Sequence, residues 1–117
     1  MKIVKSTLPV FFIFVLASFT FFHHGWANYD QTKVHDFNST IEESIYENPH
    51  VLVKVKYQEE IWTVFLAPIS RMTDRGVSAE AIKKGAAVRL VAYPHKTEKG
   101  EMRAERIFIN GKKHELR

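Results

Sequence analysis

The sequence contains no cysteine. This absence excludes a disulfide framework, a thiolate metal site and a cysteine nucleophile. The chain also has little excess of charge of either sign. Of its 17 basic residues, Lys2 and Lys5 lie at the very start, and the remaining 15 face 13 acidic residues. So small an excess argues against a nucleic-acid partner. The 117 residues, 45% of them apolar, are enough for one small globular domain and not for two.

The signatures of common catalytic sites are missing as well. No serine lies in a Gly-x-Ser-x-Gly elbow, and there is no glycine-rich phosphate loop. The carboxylates that stand together, Glu42 with Glu43 and Glu59 with Glu60, are adjacent in the sequence. Adjacent residues of a strand point to opposite faces, so neither pair makes a convergent acid/base couple. We therefore expect a protein that is not an enzyme.

The first 22 residues differ in composition from the rest of the chain. Lys2 and Lys5 give a short positive start, and residues 8–22 are apolar with three exceptions. This is the anatomy of a secretory signal peptide, and the alternative is an uncleaved N-terminal membrane anchor. We therefore expect an exported, periplasmic protein, or one anchored in the inner membrane and facing the periplasm.

The position of signal cleavage decides which residues reach the mature protein. Signal peptidase prefers small residues at its last and third-last positions, and cuts after Ala17 or after Ala27 both come close to this pattern. A cut after Ala17 keeps His23 and His24, whereas a cut after Ala27 removes them. Composition alone leaves both sites open.

The rest of the chain is predicted to be mostly β-strand. Alternating apolar residues and a high content of β-branched and aromatic side chains predict five strands. Two short helical turns are expected before the fourth strand, one ending at Gly76 and one capped by Ser78. The predicted strands are residues 40–46, 51–57, 61–66, 86–93 and 102–109, and the predicted turns are residues 70–76 and 78–84.

A helix between the third and fourth of five strands is the arrangement of the OB-fold barrel. We therefore predict an all-β fold with a short helix, a small five-stranded OB-like barrel, and keep an open α+β sheet as the alternative. The predicted organisation is a signal or anchor at 1–22, a leading segment at 23–37 and the barrel at 38–117. Alternation predicts these inward-facing positions: Val53, Val55, Trp62, Val64, Val88, Leu90 and Ile107.

Six histidines in so short a chain raise the question of a metal site. Imidazole is the commonest protein ligand for transition metals, and the candidate ligands are His23, His24 and His50. The alternative is that the adjacent pair hydrogen-bonds or faces solvent, since no carboxylate or cysteine accompanies it at metal-site spacing. The remaining histidines are expected to be solvent-exposed: His35, His95 and His114.

Three further residues are candidates for ligand binding. Trp26 precedes the first strand, Asn48 lies in an Asn-Pro-His bend, and Trp62 lies on one face of a strand, where it could floor a binding groove. Each also has a structural alternative. The alternatives are that Trp26 closes the barrel core, that Asn48 caps the bend with its side chain, and that Trp62 belongs to the core.

The sequence resembles a bacterial family of small exported proteins of unknown function. The resemblance covers about residues 23–117. It is carried by the motifs His-His-Gly-Trp at 23–26, Tyr-Asp at 29–30 and Asn-Pro-His at 48–50, by Trp62, and by the run at 103–112. At the level of fold the sequence is also similar to periplasmic OB-fold proteins. The resemblance implies export and a β-barrel, and it implies no activity, since the family has none established.

Two hypotheses about function follow. The first is an exported, non-catalytic OB-fold binding protein whose partner is a periplasmic protein or a small ligand, with no nucleic acid and with membrane contact only through an uncleaved leader. The second is a periplasmic Cu or Zn binding protein that uses the His-His and Asn-Pro-His motifs. The second hypothesis requires that the His-His pair remain in the mature protein, and metal titration separates the two.

Overall fold

The computed structural model describes residues 25–117. The leader and the His23–His24 pair lie outside the described residues. After a 3₁₀ turn at Trp26–Asn28, the chain forms strands β1 to β6 and one short helix, α1. Their bounds are β1 His35–Ile45, β2 Leu52–Tyr57, β3 Glu60–Phe65, α1 Ile69–Asp74, β4 Ala87–Pro94, β5 Glu101–Ile109 and β6 Lys112–Glu115, with a second 3₁₀ turn at Glu80–Ile82 before β4.

Five of the strands close into a barrel. β1 pairs with β2 on one side and with β4 on the other, and β2 and β4 continue to β3 and β5. The barrel closes where β3 and β5 pair in parallel, with Val64 opposite Met102. This topology, with a helix between β3 and β4, is that of the OB fold, so the predicted OB-like barrel is confirmed.

The alternation of the sequence explains how the core is filled. One face of each strand points into the barrel, because successive side chains of a strand alternate between its faces. Six of the seven positions predicted to face inward are buried: Val53, Val55, Val64, Val88, Leu90 and Ile107. The seventh, Trp62, packs against this core but lies only partly buried near the barrel end formed by the β2–β3 hairpin.

The connection between β2 and β3 is a tight hairpin turn. Gln58 and Glu59 form a two-residue turn with φ angles of 52° and 65°. Two consecutive positive φ angles are the mark of a type I′ turn, whose twist matches that of the strands it joins. The turn fixes the register that places Val55 opposite Trp62.

Helix α1 lies at the opposite end of the barrel from this hairpin. It buries Met72 against the core and is followed by Gly76, whose φ of 79° allows the chain to turn away. In the second turn, Ser78 Oγ accepts a hydrogen bond from the Ala81 amide at 3.2 Å, as its predicted capping role requires. Within residues 25–117, no helix has both the length and the apolar content needed to cross a membrane.

The first and the last strand differ from those predicted from the sequence. β1 begins at His35, five residues before the predicted start at Thr40. The segment after Ile109 forms an additional strand, β6, which pairs with β5 beyond the part of β5 that pairs with β3. Its sequence, Lys-Lys-His-Glu, is polar and carries no alternation signal, so pairing with β5 is what defines it.

The expectation that His114 is exposed was wrong. The side chain is buried, and its Nδ1 donates a hydrogen bond to the Arg75 carbonyl oxygen at 2.6 Å. A buried imidazole needs such a partner, and the carbonyl at the end of α1 supplies it. His114 thereby ties β6 to the helix.

Candidate functional site

The leading segment docks on the outside of the barrel. Tyr29 is 1% exposed and forms an isolated β-bridge with His95, and their rings contact edge to face with centroids 5.1 Å apart. The Asp30 amide donates to the Pro94 carbonyl at 2.8 Å, and the Lys96 amide donates to the Asn28 carbonyl at 2.9 Å. The segment therefore forms part of the folded domain.

Trp26 contacts two arginines, Arg103 of β5 and Arg117. The guanidinium carbon of Arg103 lies 4.5 Å from the centroid of its ring, and that of Arg117 lies 4.3 Å away. Tyr93 contacts the same ring edge to face, with centroids 6.1 Å apart. Arg117 also donates to Gln31 Oε1 at 2.8 Å. Cation–π contacts of this kind stabilise the docked segment by about 0.5–1 kcal/mol each at partly exposed sites.

The environment of Trp26 shifts the pKa of two neighbours. Burial raises the pKa of Tyr29 well above its ordinary value, and the hydrogen bond from its hydroxyl to Glu101 at 2.6 Å raises it further. Burial lowers the pKa of Arg103, and the nearby positive charges of Arg71 and Arg117 act in the same direction. Both effects follow from the cost of holding a charge where water is scarce.

The Asn-Pro-His bend joins β1 to β2. Asn48 Oδ1 accepts a hydrogen bond from the Ile69 amide at 3.1 Å, at the first residue of α1. The Asn48 side chain thus caps α1 rather than its own bend, because the first amides of a helix lack partners within it.

His50 lies on the same outer face of the barrel as Trp26. Its ring packs edge to face on Phe65, with centroids 6.2 Å apart. Phe65 is paired in register with Arg103, and residues paired in register share a face of the sheet. Arg103 lies against Trp26, so His50 and Trp26 lie on the same face, each next to one member of the Phe65–Arg103 pair.

The other two histidines are engaged rather than simply exposed, which corrects a second expectation. Nδ1 of His35 lies 3.0 Å from the Tyr57 hydroxyl. Nδ1 of His95 accepts hydrogen bonds from the amides of Thr97 and Glu98 at 3.1 and 3.0 Å. Among residues 25–117, no group of three or more His, Asp or Glu side chains is arranged to hold a metal ion.

A groove of about 1020 Å³ runs along the outer face of β1, β2 and β3. Ile61 lines it and is 54% exposed, one of two large hydrophobic side chains that the described residues leave exposed. Charged residues of both signs surround Ile61. The other lining residues are Glu42, Glu43, Ser44, Tyr46, Lys54, Lys56, Glu59, Ala79, Lys83 and Lys84.

This groove was not among the sites predicted from the sequence. The available signal was the position of Ile61 next to Trp62, which places the isoleucine outward once the tryptophan is assigned inward. The second wall of the groove comes from the 3₁₀ turn before β4, which reaches β1 through a hydrogen bond from the Gly85 amide to the Ile41 carbonyl at 2.8 Å. That contact is tertiary and has no local sequence pattern.

A search among curated proteins gave no significant match. The sequence profile of a family of unknown function, DUF6152, matches residues 12–103, from within the apolar leader to the first part of β5. The match covers most of the chain and confirms that the sequence is that of a family without an assigned function. The chain therefore belongs to the family of unknown function DUF6152.

Proposed function

We propose that the protein is an exported, non-catalytic binding module that holds a segment of another exported protein in the groove along β1, β2 and β3. The observation that carries this proposal is the exposed Ile61 within a groove of about 1020 Å³. An exposed apolar residue in a concave, otherwise polar surface is typical of a site that a partner covers. The strand 2–3 face is also where OB folds commonly bind their ligands.

The charges around the groove favour a protein segment over a polyanion. Lys54 pairs with Glu43 at 3.2 Å, and Lys83 pairs with Glu80 at 2.6 Å. The lysines are therefore largely offset by carboxylates, whereas a nucleic-acid site needs an uncompensated basic surface. A rim of both signs around an apolar centre matches the usual composition of a protein interface.

Export is the first expected result. The apolar leader with Lys2 and Lys5 at its start should direct the chain across the inner membrane. A reporter that is active only outside the cytoplasm, fused after Arg117, should therefore be active. Fusion of the same reporter to a chain with Asp residues placed in the 8–22 stretch should abolish that activity, and activity of a cytoplasm-only reporter with the intact leader would contradict the proposal.

Binding in the groove can be tested by photo-crosslinking in the producing cells. A benzophenone amino acid in place of Ile61 should give a discrete adduct with one exported protein, because that side chain points into the groove. The same amino acid in place of Lys113, whose side chain is 59% exposed on β6, should not give this adduct. Reversing Lys56 and Lys84 to Glu should reduce the adduct at position 61 about tenfold or more, because the rim then loses the positive charges that are unpaired among the described residues and no longer presents both signs to the partner.

The controls make the outcome decisive. Lys113→Glu changes charge by the same amount per residue on a surface away from the groove, so it should leave the adduct unchanged. Equal adducts from positions 61 and 113, or no adduct at position 61, would contradict groove binding. An adduct at position 61 with a small molecule instead of a protein would contradict the proposal that the partner is a protein segment.

A second function is favoured by the position of His50. Its ring lies on the face where the leading segment docks, with Phe65 and Arg103 between it and Trp26. His23 and His24 directly precede Gly25 and Trp26 in the sequence but lie outside the described residues. We infer that these imidazoles and His50 bind Cu or Zn if the pair remains in the mature protein.

Calorimetry tests this second function. Titration of the exported protein with Cu or Zn should show one site, and His50→Ala should weaken the affinity about tenfold or more, since one ligand of a small set is lost. His35→Ala is the matched control, because His35 lies at the other end of the barrel beside Tyr57. Unchanged affinity in the His50→Ala protein would leave the groove as the sole proposed site.

A further inference from the structure

A second cavity, of about 360 Å³, lies between Trp62 and the loop that joins β4 to β5. It is separate from the groove, because Ile61 and Trp62 are neighbours on β3 and point to opposite faces. The residues that line it are Glu60, Trp62, Pro94, His95, Lys96, Thr97, Glu98, Lys99 and Gly100. Volumes of this size are at the small end of the range of ligand sites.

The indole of Trp62 is held in one orientation. Its Nε1 donates a hydrogen bond to the Tyr57 carbonyl at 3.2 Å, and the rings of Tyr57 and His35 lie against it with centroids 6.3 Å away in each case. The polar edge of the indole is therefore already used inside the protein. What Trp62 offers to the cavity is aromatic surface.

The loop on the other side of the cavity is fixed by its own hydrogen bonds. Nδ1 of His95 accepts hydrogen bonds from the amides of Thr97 and Glu98, and the Gly100 carbonyl accepts one from the Thr63 amide at 2.8 Å. Because Nδ1 acts as an acceptor, the neutral ring of His95 carries its proton on Nε2. The wall is thus formed before any ligand arrives, which lowers the entropy lost on binding.

The polar side chains of the cavity combine donors with acceptors and balance in charge. Lys96 and Lys99 donate, and Glu60 and Glu98 accept. The Thr97 hydroxyl lies 3.3 Å from Nδ1 of His95, to which it donates, so its oxygen is left to accept. The aromatic surface that Trp62 contributes to the lining suits the C–H face of a sugar ring, and surrounding donors and acceptors suit its hydroxyls. An anion or a cation would meet as many like charges as opposite charges there, so the lining favours a neutral ligand.

We propose that this cavity binds a neutral pyranose unit of a saccharide, stacked on Trp62. Fixed aromatic surface, a preformed polar loop and balanced charge are the three properties that such a ligand requires. Loops and strands in this region of OB folds also bind oligosaccharides in other proteins. The proposal stands apart from groove binding, since the two sites lie on different faces of β3.

The test uses the indole N–H signals of the ¹⁵N-labelled full chain, purified in a detergent that contains no sugar. The sequence has two tryptophans, so Trp26 serves as an internal reference for Trp62. Titration with the neutral saccharides N,N′,N″-triacetylchitotriose and maltotriose should shift the Trp62 signal saturably, with millimolar affinity for at least one of them, and should leave the Trp26 signal in place. Trialanine should shift neither signal.

Two variants connect the shift to the cavity. Thr97→Ala combined with Glu98→Ala keeps Trp62 and the core intact and should weaken saccharide binding about tenfold. Glu42→Ala, in the groove on the other face, should leave it unchanged. No saturable Trp62 shift with either saccharide, or an equal shift with trialanine, overturns the proposal, while an adduct at position 61 would be unaffected by that failure.

Discussion

Replacing Trp26 with alanine is expected to destabilise the protein by about 2–4 kcal/mol. The substitution removes the ring that Arg103 and Arg117 enclose and leaves the buried Arg103 guanidinium without its aromatic cover. The docked segment then holds on mainly through Tyr29 and the hydrogen bonds to the β4–β5 loop. Urea unfolding should report the loss as a lower midpoint.

Two matched variants separate this contact from general sensitivity of the leading segment. Trp26→Phe keeps an aromatic face for both guanidiniums and should lose less than half as much stability as Trp26→Ala. Val34→Ala, in the same segment at a side chain that is 58% exposed, should change stability by no more than about 0.5 kcal/mol. If Trp26→Ala behaves like Val34→Ala, the leading segment does not contribute to the fold.

Alkaline pH is expected to destabilise the protein through Tyr29. Its pKa is raised in the folded state by burial and by the hydrogen bond to Glu101, so folding favours the neutral phenol. The stabilising contribution is complete below the ordinary tyrosine pKa of 10.0 and is lost as pH rises above it. The slope is at most about 1.4 kcal/mol per pH unit for one proton.

Stability curves of Tyr29→Phe measured between neutral and alkaline pH check this account. The variant should lose about 1–2 kcal/mol at neutral pH, from the missing hydrogen bond to Glu101, and should then fall less steeply than the wild type above pH 10. Tyr93→Phe is the control, because the Tyr93 pKa is also raised by burial and by Glu105 but the side chain is less buried. An equal flattening in both variants would show that Tyr29 has no special part.

The barrel itself could be predicted because the sequence patterns that indicate its strands and helix lie within short segments of the chain. Alternation in β2, β3 and β4 reports which side chains point inward, and Pro68 with Gly76 brackets helix α1. Five strands with a helix after the third then leave few topologies other than the OB barrel. The family match confirms that the sequence is that of a family of unknown function.

The contacts that shape the candidate sites could not be predicted, because they join residues far apart in the chain. Nothing near Trp26 indicates that Arg117, the last residue of the chain, lies on its ring. His114 looks exposed in a polar sequence and becomes buried only because the Arg75 carbonyl meets it from α1. The groove likewise exists only once the turn before β4 reaches β1.

The central claim is that the protein is exported and that its leading segment, with Trp26, remains part of the mature domain. N-terminal sequencing and the intact mass of the protein recovered from the cell envelope test this most directly. We predict a chain that begins at Ser18, after cleavage behind Ala17, or one that keeps its leader as an anchor. A mature chain that begins at Asn28 would contradict the account, because it would lack the ring that Arg103 and Arg117 enclose.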